Sequence, residues 1–291
     1  MECVIRERFA SERISNRVFF VPFAYYFRVR LGTMQKLLSW MLLYLMPTAF
    51  YMLFSSGLLY DFSLTGLLQL AANYLLTLVF VFNFYETGYI HNDTFATLRE
   101  QQPAIRLYPY NLAFFYRNAK KIFLLRFLYS LLAGVLLVVV NGVGWGTWRV
   151  LISGLAVILI FLIYNYWRTK WNVLLYPVLV YSRFLPFILL YSVSYRYAML
   201  LFLVFPFVAW LERFSMPSHR FAFMKFVLPE ESSKTLFRVE YYLLCIIILH
   251  PVYIFLDLPQ TELLPFDILL LYRVWLWLYL KTHTPENYLQ G

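Results

Sequence analysis

Charged residues are scarce in this chain. They make up 14% of its 291 residues, where soluble globular proteins carry about 25%, and that shortage excludes an ordinary water-soluble domain. Cysteine is nearly absent. Cys3 and Cys245 lie one near the N-terminus and one inside an apolar run, which excludes a disulfide framework and zinc-type ligand spacing. Acidic residues are also few, 15 against 25 Lys and Arg. In a soluble protein the net charge of +10 would point to nucleic acid. Here basic cytoplasmic loops and anionic headgroups account for it, and no nucleic-acid partner is expected. No cleavage pattern accompanies the first apolar run, so no secretory signal is expected.

Apolar and aromatic residues are abundant instead. Hydrophobic residues reach 62% and aromatic ones 21%, and several runs match the ~20 residues needed to cross a ~30 Å hydrocarbon core. The fold class is therefore all-α, a polytopic transmembrane bundle. The expected spans are about 34–54, 63–90, 111–141, 148–167, 172–193, 197–212, 236–256 and 265–281, an eight- or nine-helix bundle. Residues 1–33 read as an interfacial amphipathic segment, with Arg6, Arg8, Arg13, Arg17, Arg28 and Arg30 turned toward lipid phosphates. Residues 34–285 form one transmembrane domain, and 286–291 resemble a protease-cleavage scar. Gly142, Gly144 and Gly146 read as a turn between helices rather than a phosphate loop.

The loops alternate in charge. Arg99, Arg106, Arg117, Lys120 and Lys121 follow the second span, Arg168 and Lys170 the fourth, and Arg213, Arg220, Lys225 and Lys234 the sixth. The odd-numbered loops carry little positive charge. The positive-inside rule places the basic loops and both termini in the cytoplasm.

One stretch at the end of the second span concentrates acids in a chain that has few. Glu86, Asp93 and Glu100 are spaced seven apart. Seven residues turn a helix through about 700°, so the three carboxylates share one stripe. Such a stripe cannot face lipid, where a central Asp costs at least roughly 2.5 kcal/mol; it must face a wet or protein-lined cavity. Carboxylates with the Asn92 amide are hard oxygen ligands of the kind Mg2+ takes when it bridges to phosphates. Arg106, Arg168, Lys170, Arg213, Arg220 and Lys225 supply cations for the remaining phosphate oxygens. Tyr85 and Tyr89 border the stripe and are candidates to contact the donor.

The run Asn92-Asp93-Thr94-Phe95-Ala96-Thr97-Leu98-Arg99-Glu100 resembles the Asn-Asp-x-x-Asp-x-x-x-Asp motif that ends the second helix of the UbiA-type superfamily of intramembrane prenyltransferases. Gln102-Pro103-Ala104-Ile105-Arg106 echoes the basic segment after that motif, and Tyr164, Arg168 and Lys170 echo the family's residues at the fourth helix end. The resemblance implies a helical bundle with a cytoplasm-facing cavity, in a bacterial inner (plasma) membrane. It also implies displacement of magnesium-bound diphosphate by an acceptor. Asn92, Asp93 and Glu100 would then hold the metal, and Glu86 would be a further ligand or a base. Tyr89, Arg106, Arg168, Lys170, Arg213, Arg220 and Lys225 would bind substrate. The sequence departs from the pattern in two places. Ala96 replaces the middle acid, and the loop after the sixth span holds Glu212, Arg213, His219, Arg220 and Lys225 with no paired aspartates. A basic second motif resembles the branch that moves a phosphoribosyl group from phosphoribosyl pyrophosphate to polyprenyl phosphate; a prenyl diphosphate donor is the other transferase reading. A non-catalytic lipid-binding protein or an anionic-lipid transporter is the alternative of a different class.

Overall fold

The computed structural model describes residues 14–59, 61–99, 105–167, 171–191, 194–214 and 234–283. Glu100, Arg168, Lys170, Arg220 and Lys225 lie outside the described residues, as do 1–13 and 284–291.

The chain is all-helical. Long apolar runs with few charges form α1 (Met34–Ser56), α2 (Leu64–Ala96), α3 (Pro109–Asn141) and α4 (Trp145–Tyr166). Four shorter helices follow: α5 (Asn172–Tyr181), α6 (Pro186–Leu189), α7 (Tyr195–Val204) and α8 (Pro206–Phe214). The chain then continues through α9 (Lys234–Phe255) and α10 (Leu264–His283). Among the described residues six helices are long and apolar enough to cross a membrane, or seven if α7 and α8 count as one bent span. This is an integral membrane architecture, with fewer uninterrupted spans than the eight or nine expected.

Proline explains both shortfalls. The expected span at 172–193 folds as α5, a turn and the single turn of α6. Pro186 has no N–H to give the carbonyl four residues back, so the helix breaks at 182–185 and restarts on the proline. The expected span at 197–212 bends by 42° between α7 and α8, where Phe205 leaves the helical region ahead of Pro206.

Residues 14–31 of the N-terminal segment pack against α2 and α3. Phe19 and Tyr25 are fully buried and pack with Ile90, Phe115 and Ile122 of α2 and α3. Arg17 and Arg28 remain exposed, while Arg30 reaches into the protein. Phe23 holds a left-handed backbone, φ 67°, a conformation that costs a non-glycine residue of order 1–3 kcal/mol and needs surrounding contacts to persist. Its own N–H supplies one of those contacts, to Glu86.

Helix α2 is the central element and packs on α3 and α4. Gly88 sets the α2–α4 approach, because a Cβ there would lie 2.3 Å from the Phe161 ring. That ring is fixed by edge contacts to Tyr85 and Tyr89, at 4.8 and 5.5 Å between centroids. Gly88→Ala is therefore expected to destabilise the protein by about 1–3 kcal/mol, read as a lower melting temperature in detergent. Phe161→Leu in the same chain should recover part of the loss.

Candidate functional site

The regular helix of α2 ends at His91, and Asn92–Ala96 form a π-helical turn, a local widening often found where a helix carries function. Glu86 and Asp93 do face the same way, and both meet the N-terminal segment. Their surroundings differ.

Glu86 is fully buried. It accepts hydrogen bonds from Arg126 Nη1 at 2.7 Å, the Phe23 N–H at 2.7 Å and the Tyr26 N–H at 2.8 Å. Arg126 donates from all three of its nitrogens: to Glu86 and Asn83 from Nη1, to Phe19 O from Nε, and to Val18 O and Val21 O from Nη2. This pair fastens the N-terminal segment to α2 and α3. Both Glu86 oxygens are engaged by donors, which gives the carboxylate the surroundings of an anchor rather than those of a base.

Asp93 gathers a second set. Its Oδ1 accepts from Arg30 Nη2 at 2.5 Å, Arg106 Nη1 at 3.1 Å and Asn92 Nδ2 at 3.2 Å, and its Oδ2 from the Tyr25 hydroxyl at 2.8 Å. Burial, and then the negative charge of Asp93, push the Tyr25 phenol well above its ordinary range, so it stays a donor. The Arg30 guanidinium also lies over the Tyr89 ring, 4.2 Å from its centre. Tyr89 stacks on Tyr26 at 5.6 Å and bonds the Tyr85 hydroxyl at 3.4 Å. Arg213 donates to the Tyr164 hydroxyl at 3.1 Å and lies over the Tyr176 ring.

The structure thus brings Asn92, Asp93, Arg106 and Tyr89 together, puts Glu86 two turns deeper, and sets Arg213 beside Tyr164 and Tyr176. Sequence reasoning passed over Tyr25 and Arg126 and turned Arg30 toward headgroups. An arginine in the middle of an apolar run, as Arg126 is, was the available signal.

The described residues do not fit a magnesium ion at Asp93. Two guanidiniums within hydrogen-bond distance already neutralise the carboxylate and would repel a cation. Among the described residues no three acidic, histidine or cysteine side chains converge to hold a metal.

An apolar crevice runs along the other face of α2. One part, about 600 Å³, is lined by His91, Phe95, Leu162 and Asn165, and a second, about 340 Å³, reaches Phe84, Phe127 and Phe161 between α2, α3 and α4. His91 and Asn165 face each other there, 3.2 Å apart. The crevice and the Asp93 cluster lie on opposite sides of the helix.

The protein belongs to the class of polytopic helical membrane proteins with a polar centre built from arginine, tyrosine and two buried acids. Comparison with protein-family models, curated proteins and solved structures gives no match to this chain.

Proposed function

We propose that the chain is a UbiA-like membrane transferase whose site at the end of α2 grips the phosphates of a diphosphate-activated donor and passes the activated group to a lipid acceptor. Transfer from phosphoribosyl pyrophosphate to a polyprenyl phosphate is the preferred form. The observation that carries the reading is that Arg30 and Arg106 share one carboxylate. Their charge exceeds that of Asp93 by one, and among the described residues the Arg30 Nε has no acceptor. Two oriented guanidiniums with donors to spare suit a phosphate, to which charge-assisted hydrogen bonds are roughly twice as strong as neutral ones.

In this reading a lipid-phosphate oxygen attacks C1 of the donor. The C1–O bond breaks, and its electron pair leaves on diphosphate. The attacking oxygen carries no proton, so no base is required, in keeping with the engaged state of Glu86. The guanidiniums stabilise the charge that develops on the leaving group. Asp93 positions them and does not itself touch the donor.

The test is the thermal stability of purified protein with phosphoribosyl pyrophosphate or geranylgeranyl diphosphate, followed by product analysis with a polyprenyl phosphate. Binding raises stability by RT ln(1 + [L]/Kd), about 2.7 kcal/mol at a hundredfold excess over Kd. Arg106→Ala removes a partly exposed side chain and should weaken the response about tenfold or more while the unliganded melting temperature changes little. The engagement of Asp93 by arginines also favours a second reading, a non-catalytic protein that binds anionic lipid. Ligand-dependent stabilisation without turnover would select it. The absence of any response to either donor would defeat the transferase reading.

A further inference from the structure

Arg183 lies in the break between α5 and α6, 94% buried with a relative exposure of 6%. Aromatic rings surround its guanidinium: Tyr85 at 4.8 Å, Tyr44 at 5.1 Å, Phe184 at 5.4 Å and Phe205 at 5.8 Å. The phenols of Tyr26 and Tyr89 are also near, and the groups acting most strongly on it are all tyrosines, with no carboxylate among them. Among the described residues its Nε and Nη1 have no hydrogen-bond acceptor. The Tyr44 hydroxyl donates to the Arg183 carbonyl at 3.0 Å.

Arg126 shows what this fold does with an arginine used for structure. It is equally buried, and every nitrogen donates to a carbonyl, an amide oxygen or Glu86. Arg183 shares the burial, but among the described residues the Tyr26 hydroxyl is the side-chain acceptor near it, and its Nε and Nη1 are left without one. Cation–π attraction offsets part of the cost of its charge, but a ring face satisfies guanidinium N–H groups poorly. A charge taken out of water without a hydrogen-bonding counter-ion is strongly unfavourable, and a break in a membrane helix is a recurrent place for a ligand site.

We infer that Arg183 and its tyrosine cage form an inner anion subsite that takes the phosphate of a ligand whose body is apolar. The inference rests on the phosphate-transfer reading above and adds the acceptor's place within it. Tyr85 and Tyr89 lie two turns and one turn before Asp93, so these cage residues are about 12 Å and about 6 Å deeper along α2 than Asp93. The contacts Arg30–Tyr89, Tyr89–Tyr26 and Tyr89–Tyr85 join the two. The inner wall is aromatic, which suits a lipid-borne phosphate better than a free, fully hydrated anion. The outer cluster is left for the water-soluble donor.

The experiment uses the full chain in detergent micelles with three probes: farnesyl phosphate, farnesol and inorganic pyrophosphate. Farnesyl phosphate should raise the melting temperature and farnesol should not. In R183M the affinity for farnesyl phosphate should fall roughly ten- to hundredfold, while the pyrophosphate response, held by Arg30 and Arg106, persists. The unliganded R183M protein should melt at or above the parent temperature, because an uncompensated buried charge is gone. A structural arginine would give the opposite, a lower melting temperature with unchanged affinity for farnesyl phosphate, and that result overturns the inference. R183K keeps the charge within the rings but loses the planar fork, so it provides the second test should R183M fail to fold. Unchanged farnesyl phosphate affinity in R183K also overturns the inference. A pyrophosphate response that depends on Arg183 and needs no prenyl chain overturns the lipid assignment. Loss of the pyrophosphate response in the parent protein itself would instead defeat the outer-site reading, so the two failures are separable.

Discussion

Arg126→Met is expected to destabilise the protein by about 3–5 kcal/mol, the usual cost of removing one partner from a buried ion pair. The substitution leaves Glu86 fully buried with only the Phe23 and Tyr26 N–H groups as donors. It also strips the carbonyls of Val18, Phe19 and Val21 of their guanidinium contacts. The N-terminal segment should then detach before the bundle unfolds, and limited proteolysis within residues 14–31 should accelerate at temperatures where α9 and α10 still hold. Glu86→Leu combined with Arg126→Met removes both charges, and double replacements of this kind are often close to neutral. The double variant should therefore recover much of the stability, less the contribution of the segment's lost hydrogen bonds. Equal losses in the single and double variants would show that the packing of the arginine stem, rather than its pairing with Glu86, holds the segment.

Asp93→Asn is the second large effect, and it separates two roles for this carboxylate. The substitution nearly preserves volume. As the counter-ion that the structure shows, Asp93 neutralises Arg30 and Arg106 while accepting from Tyr25. An amide accepts at one atom only, leaves two guanidiniums facing each other without a counter-charge, and turns an NH2 toward a donor. A loss of about 2–4 kcal/mol follows, visible in thermal melts without any metal. Magnesium and a chelator should leave the melting temperature of the ligand-free parent protein unchanged. A metal-ligand role gives the reverse pattern: Asp93→Asn would fold with parental stability, and chelation would lower the parent's melting temperature. The first pattern keeps Asp93 as the residue that positions the arginines, and the second restores it as a ligand.

The sequence placed the polar centre well, for a physical reason. Acids are rare in a chain built for lipid, so Glu86 and Asp93 at helical spacing had to share a protein-lined face, and both do meet the same N-terminal segment. Their partners were not legible. The hydrogen bonds to Glu86 and Asp93 from the segment and from Arg126 span 40 to 68 residues of chain, and no local pattern encodes such pairings. Arg30 was read as a headgroup contact because basic residues beside an apolar patch usually are. A buried carboxylate overrides that tendency once the segment folds back. Arg183 was hidden inside an apolar run that composition alone reads as a lipid-spanning helix. Pro186, three residues later, is the local sign that the run breaks there.

By itself, then, the sequence determined the solvent in which this protein folds, the helical class, the long spans and the helix end at which its acids gather. Each follows from local composition and from the backbone's need to satisfy its hydrogen bonds within lipid. Tertiary structure alone decided which charges meet. It set Arg126 on Glu86, put Arg30 and Arg106 on Asp93, and set Arg183 among tyrosines, with no carboxylate paired to it among the described residues. Those pairings depend on which helix faces lie within a few ångströms of one another, and at that range, in a medium of low dielectric, hydrogen-bonding partners determine whether a charge acts as an anchor or as a binding site.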